Sequence, residues 1–186
     1  MPQFQDYHRT VVGYHGTTRE TAEEIVTGGT FKPSQNDDDW LGHGIYFWEY
    51  APQQAYQWAV KRYGKDKDVA VLGSMIRLGN CFDLLDPLNT KILKEAQSVV
   101  LETVKPIPRN YNSKKYLDCA VFEMFYQTQE DFGDEIIDST RAVYVPTDAK
   151  KRLWKSSWLY EETHVQLCIR NEENILGTWI VKPESE

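Results

Sequence analysis

Two glycine-bearing stretches carry the residues best suited to chemistry. They are Gly13-Tyr14-His15-Gly16-Thr17 and, about thirty residues on, Gly42-His43-Gly44-Ile45-Tyr46-Phe47-Trp48-Glu49. Glycine lets a backbone lie close against a flat ligand or take positive φ, and a neighbouring aromatic offers a stacking face. The pair predicts a narrow slot built from two backbone turns, a His and a Tyr. His43, between glycines, reads as structural. Ile45-Tyr46-Phe47 would look the same in any buried strand, so the slot reading rests on the two stretches together.

The elements that must position these residues follow from periodicity. Arg9 to His15 reads as a short strand delivering His15 to its end. Thr17-Thr18-Arg19-Glu20 and Thr21-Ala22-Glu23-Glu24 both fit a capping box, Ala22, Ile25 and Val26 mark a helix face, and Gly28-Gly29 ends that helix. After a polar loop over 32–40 and the Gly42–Phe47 turn and strand, Pro52 opens a second helix. Its buried face is Ala55, Trp58 and Ala59, and it closes near Gly64. A strand over Val69–Leu78, helices over 90–103 and 114–127, and a strand over Thr140–Val145 come next. The chain ends with a basic, Trp-bearing loop over Thr147–Tyr160 and two strands, His164–Asn171 and Ile175–Lys182. With no βαβ rhythm and no repeats, this predicts a single α+β domain over residues 1–186 on a largely antiparallel sheet.

The totals narrow the function classes. The 186 residues suffice for one substantial core, and six Trp, eleven Tyr and seven Phe rule out a disordered composition. No apolar run is long enough to span a bilayer, and the first residues lack the basic start of a signal peptide, so no membrane partner and a cytoplasmic location are expected. Cys81, Cys119 and Cys168 are odd in number and far apart, and the four His show no ligand spacing, so neither a disulfide framework nor a metal site is expected. A net charge of −7 argues against broad capture of nucleic acid. Two local stretches are nevertheless basic: Lys105, Arg109, Lys114 and Lys115, then Lys150, Lys151, Arg152 and Lys155.

His-Gly-Thr on a first strand, a helix, Gly-x-Gly-Ile-Tyr-Phe, and a second helix bearing aromatics together resemble the NAD-binding core of ADP-ribosyltransferases, in their diphtheria-toxin and poly(ADP-ribose) polymerase branch. The resemblance covers nearly the whole chain, is specific in the first two motifs and weak from about Gly79 to Thr140. It implies a split antiparallel β-sheet with flanking helices, and NAD as co-substrate. It gives His15 to the adenine-side ribose, the Gly16 backbone to the nicotinamide amide, Thr17 to the same motif, and Tyr46 to stacking on the nicotinamide. Tyr56 is the second stacking aromatic, with Trp58 competing for that role.

Where the family carries a Glu on a late strand, the resemblance places Gln166. Its amide can hydrogen-bond a ribose but cannot act as a general base. Either the acceptor needs no protein base, or Glu161 or Glu162 swings in from the loop, or NAD is bound without turnover. His164 and Gln166 share one strand face, which is either a site or solvent. The loop at Lys150, Lys151, Arg152 and Trp154, with Glu162 and His164, falls where this family recognises its acceptor. Cations interleaved with indoles suit a nucleic acid, single-stranded RNA above all, with an acidic protein as rival. The resemblance thus implies an NAD-dependent mono-ADP-ribosyltransferase acting on a macromolecule, in the setting of a small toxin with an antitoxin partner or of a phage-defence effector. The alternatives are a non-catalytic NAD or ADP-ribose binder and an NAD hydrolase.

Overall fold

The computed structural model describes residues 9–103, 114–131, 136–146 and 148–182. The basic run from Lys105 to Lys115 lies outside the described side chains. Strand β1 (Thr10–Thr18) runs directly into helix α1 (Arg19–Val26). The cap is Thr18, whose hydroxyl accepts from the Thr21 amide at 3.3 Å, rather than either of the expected capping-box threonines. At the other end Gly28 N–H bonds Ile25 O and Gly29 N–H bonds Glu24 O, which closes the helix where the glycine pair predicts. Strand β2 (Ile45–Glu49) leads into α2 (Pro52–Tyr63), opened by its proline, and then come β3 (Val69–Arg77) and β4 (Cys81–Asp83). Helices α3 (Pro87–Thr103) and α4 (Lys114–Asp131) precede β5 (Ser139–Tyr144), β6 (His164–Ile169) and β7 (Ile175–Ile180).

The strands form one seven-stranded sheet in the order β4-β5-β6-β2-β1-β3-β7. Neighbours are antiparallel except β4 and β5. The mixed α+β architecture and largely antiparallel sheet are as expected; the three-residue β4 and its parallel pairing are additions. No helix among the described residues is long and apolar enough to cross a membrane.

Register divides the side chains between two faces. Ile45 and Phe47 of β2, Leu167 and Ile169 of β6, and Leu72 and Ile76 of β3 face one side, where Ala22 of α1 covers them. Each such fully buried side chain contributes roughly 1.5–3 kcal/mol by leaving water. On the same side Arg141 binds Glu49 through two bonds of 2.6 and 3.1 Å and reaches Asp83, while Arg9 bonds Asp83 at 2.8 Å, tying β2, β4 and β5 to the start of β1.

The opposite face has two separate coverings. Ala55 of α2 packs on Trp48 and Val71. Phe122, Phe125 and Tyr126 of α4 pack on Phe82, Ala142 and Cys168. Between these two coverings, Trp48 of β2, Tyr144 of β5 and His164 and Gln166 of β6 share the same face.

Candidate functional site

Strands β1 and β2 pair at only two positions, Gly13 with Glu49 and Tyr14 with Trp48. In an antiparallel strand, successive residues direct their backbone groups to opposite neighbours. Leu78 N–H bonds Arg9 O and Arg19 N–H bonds Asp68 O on the β3 side, whereas Tyr50 N–H bonds Val12 O on the β2 side. Even-numbered residues of β1 therefore direct N–H and C=O toward β2. Gly16 is one of them, and beyond Tyr14 it has no ladder partner there. Directly across the opening, the Tyr46 carbonyl accepts from His15 Nδ1 at 2.8 Å. A side chain thus spans the place where the next rung would be, and the sheet is split at Gly16 and Tyr46.

Glycine is required at position 16 by packing. A Cβ there would meet the Ala55 carbonyl oxygen at 2.1 Å, because α2 crosses β1 in contact with its backbone. The walls of the slot are accordingly strands and not turns: β1 continues three residues past His15, correcting the expectation that His15 sits at a strand end. Gly42 and Gly44 serve elsewhere. At φ +79, Gly42 passes beneath Tyr126 and Glu123 of α4, and Gly44 lies against Cys168 and Ile169.

His15 is wedged between Phe31 and Phe47, with ring centroids 5.4 and 5.7 Å away. A carbonyl can only accept, so Nδ1 bears the proton and Nε2 keeps the lone pair. Burial lowers the His15 pKa against the opposing effect of the Tyr46 carbonyl, so the ring is neutral. Thr17 is buried on the same face as His15. Tyr46 points to the other face. Its hydroxyl donates to Gly42 O at 2.7 Å and accepts from Leu41 N–H at 3.0 Å, and burial raises its pKa far above the usual phenol range. Tyr126 O–H in turn bonds Leu41 O, and Glu123 accepts the His43 amide, so α4 straps down the loop before β2.

On the Tyr46 face the aromatics form a row: Trp40, Tyr144, His164, Trp48 and Trp58. Successive ring centroids are 6.0, 5.0, 6.2 and 5.6 Å apart. Gln166, only 8% exposed, lies on this face, and its Oε1 accepts from Trp40 Nε1 at 2.5 Å. That contact joins positions 126 residues apart and had no signal in the sequence. Of the two α2 aromatics, Trp58 joins this row, whereas Tyr56 is 45% exposed and makes no ring contact among the described residues. Trp58 itself is partly exposed rather than on the buried face, which belongs to Ala55 and Ala59.

The segment between β5 and β6 is more ordered than the expected loop. After a short turn of 3-10 helix (Ala149–Lys151), Arg152 and Tyr160 bridge as an antiparallel pair, and Leu153 N–H bonds Leu159 O. Lys151 is paired with Glu162. Arg152 donates to Ser157 O at 3.0 Å and lies 5.2 Å from the Tyr160 ring centre. Two of the three cations expected to meet an acceptor therefore hold the segment together. Its tip presents Trp154 and Trp158 to solvent, Trp158 at 94% exposure, beside Lys150 and Lys155. Thr147 lies outside the described residues.

Among the described residues no group of three or more His, Cys, Asp or Glu could hold a metal ion. A broad depression of about 830 Å³ is lined by Thr18, residues of α1, Thr27, Tyr63, Lys67 and Asp68; none of the sequence-predicted site residues lines it. No family model matches the chain, and no solved structure does. An uncharacterized protein of Methanocaldococcus jannaschii is similar to it, 26% identical over 175 residues, covering 85% of this chain and 81% of that protein.

Proposed function

We propose that this chain has the ADP-ribosyltransferase fold and is an NAD-dependent mono-ADP-ribosyltransferase acting on a macromolecule. The observation that carries the reading is the split between β1 and β2. There, a Gly16 backbone with N–H and C=O turned into an opened ladder suits the in-plane donor and acceptor of a carboxamide. His15 Nε2 offers an acceptor for a ribose hydroxyl. Trp48 and Trp58 supply apolar ring surface. His15 lies on the opposite face from Trp48 and Gln166, so a ligand touching both must thread the opening, which suits an extended dinucleotide. Gln166 would orient a ribose hydroxyl through its amide N–H groups, since its oxygen is engaged by Trp40. When bound, NAD supplies the ribose carbon to be transferred and nicotinamide as leaving group. The proposed setting is the cytoplasm, in a toxin with an antitoxin or in a defence effector.

The tip at Trp154 and Trp158, with Lys150 and Lys155, is the proposed acceptor element. Indoles beside exposed cations suit stacked bases and phosphates, which keeps single-stranded RNA ahead of protein. A second reading, a non-catalytic NAD binder, is favoured by one observation: Gln166, the residue that the resemblance sets in place of a Glu, has its amide oxygen engaged by Trp40.

Purified protein incubated with adenine-labelled NAD, in separate tubes with RNA, DNA and lysate protein, tests this. Label is expected in one macromolecular fraction. Trp58→Ala, which removes partly exposed ring surface rather than core, should weaken NAD binding about three- to tenfold, the stacking contribution of one aromatic pair. Label only as free ADP-ribose would indicate a hydrolase, and NAD binding without nicotinamide release would indicate the binder. Absence of NAD binding by calorimetry would overturn the whole reading.

A further inference from the structure

Among the described residues, no strand position on the Gln166 face carries a carboxylate. On the face that carries Gln166, β2 presents Tyr46 and Trp48, β5 presents Thr140, Ala142 and Tyr144, and β6 presents His164, Gln166 and Cys168. None of these is an acid. Glu49 faces the other side, bonded to Arg141. The Glu162 side chain is held by Lys151, and Glu161 lies exposed in the turn before β6.

His164 is the imidazole on this face, and its geometry is specific. Nδ1 lies 2.6 Å from the backbone oxygen of Glu162. Because a carbonyl only accepts, the ring carries its proton on Nδ1 and its lone pair on Nε2, and Nε2 has no partner among the described residues. The carbonyl reaches back to the ring because Glu162 adopts φ +62, a left-handed conformation that costs a non-glycine residue about 1–3 kcal/mol. Stacking on Tyr144, with centroids 5.0 Å apart and planes 22° apart, fixes the ring orientation. Trp48 lies on its other flank at 6.2 Å.

We propose that His164 is the general base of the site, its Nε2 taking the proton of the acceptor's attacking hydroxyl or amine. The inference rests on the transferase reading above. In the step, the acceptor heteroatom bonds to the ribose C1′ as its proton passes to Nε2. The bond from C1′ to nicotinamide breaks, and its electron pair neutralises the pyridinium nitrogen. The imidazolium then returns the proton to water, so the sum is transferred ADP-ribose, nicotinamide and one proton. Desolvation lowers the His164 pKa, and the Glu162 carbonyl and carboxylate oppose this in part, so the base is unprotonated at neutral pH. The groups facing it are the Tyr144 phenol on β5, the Glu162 carboxylate with its Lys151 partner, and the uncharged Trp48 on β2.

The test is His164→Gln, a neutral side chain of similar reach, assayed with adenine-labelled NAD and whichever of total RNA or lysate protein the wild type labels. The expected result is a fall in kcat of about 10²- to 10⁴-fold, the usual contribution of a general base. NAD affinity by calorimetry should stay within threefold, and the acid limb of the wild-type pH profile should disappear. Independently of turnover, nitrogen NMR of the free protein should show His164 as the Nδ1–H tautomer titrating below 6.5. A variant with wild-type kcat and an intact acid limb, or an Nε2–H tautomer, would overturn the assignment while leaving the transferase reading in place. A wild type that binds NAD but labels nothing and releases no nicotinamide would overturn both.

Discussion

Gly16 concentrates the site at one residue. It is the point where α2 touches β1 and where the sheet opens toward β2, and its missing side chain lets the helix lie against the strand. Gly16→Ala brings a Cβ to 2.1 Å from the Ala55 oxygen, a backbone atom that cannot rotate away. The helix must shift, and a loss of about 1–3 kcal/mol is expected from urea unfolding. Gly177→Ala on β7 is the contrast: no atom lies within 4 Å of the added carbon, so stability should stay within about 0.5 kcal/mol. Equal losses at both positions would mean that strand propensity, not close approach, is responsible. The pairing of His15 and Gly16 was legible from the two motifs because both are local. The clamp of Trp40 on Gln166 and the Phe31 wall of the His15 pocket were not, since each brings together residues that only the finished fold makes neighbours.

Among the elements, long and periodic ones were legible and short or two-purpose ones were not. Helix α2 was placed correctly from Pro52 and its alanines, yet its tryptophan was assigned to the buried face. Trp58 and Ala59 are adjacent in sequence, and only Ala59 is small enough to sit against β1. Strand β4 has three residues and no period to detect. The segment after β5 was read through its charge, but Lys151 and Arg152 fold back on Glu162, Ser157 and Tyr160. What the segment offers to a partner is aromatic. Trp158, at 94% exposure, can be removed without opening the core. Trp158→Ala should leave the unfolding free energy within about 0.5 kcal/mol of wild type while cutting acceptor labelling at least fivefold, with NAD affinity unchanged. Labelling at the wild-type rate would remove the tip from acceptor recognition.

For the whole molecule, the division of one sheet into a covered face and a face with two separate coverings has a thermodynamic signature. Two of its histidines, His15 in the split and His164 in the aromatic row, are held neutral with pKa values below the ordinary 6.5. In the unfolded chain both revert to about that ordinary value. As pH falls from neutrality through 6.5, the unfolded state takes up protons that the native state refuses, so stability must fall with pH until the native groups titrate as well. Each histidine can contribute a slope of up to one proton, about 1.4 kcal/mol per pH unit, across that window. Carboxylates add their own dependence at lower pH, so the informative quantity is the difference between proteins. In urea unfolding at pH 7, 6 and 5, a His15→Asn/His164→Gln double variant should be less stable than wild type at pH 7 and show a flatter decline. The two curves should converge toward pH 5. Parallel curves would mean that the two rings take up protons at the same pH in the native and unfolded states, so that neither is held neutral by its burial in the fold.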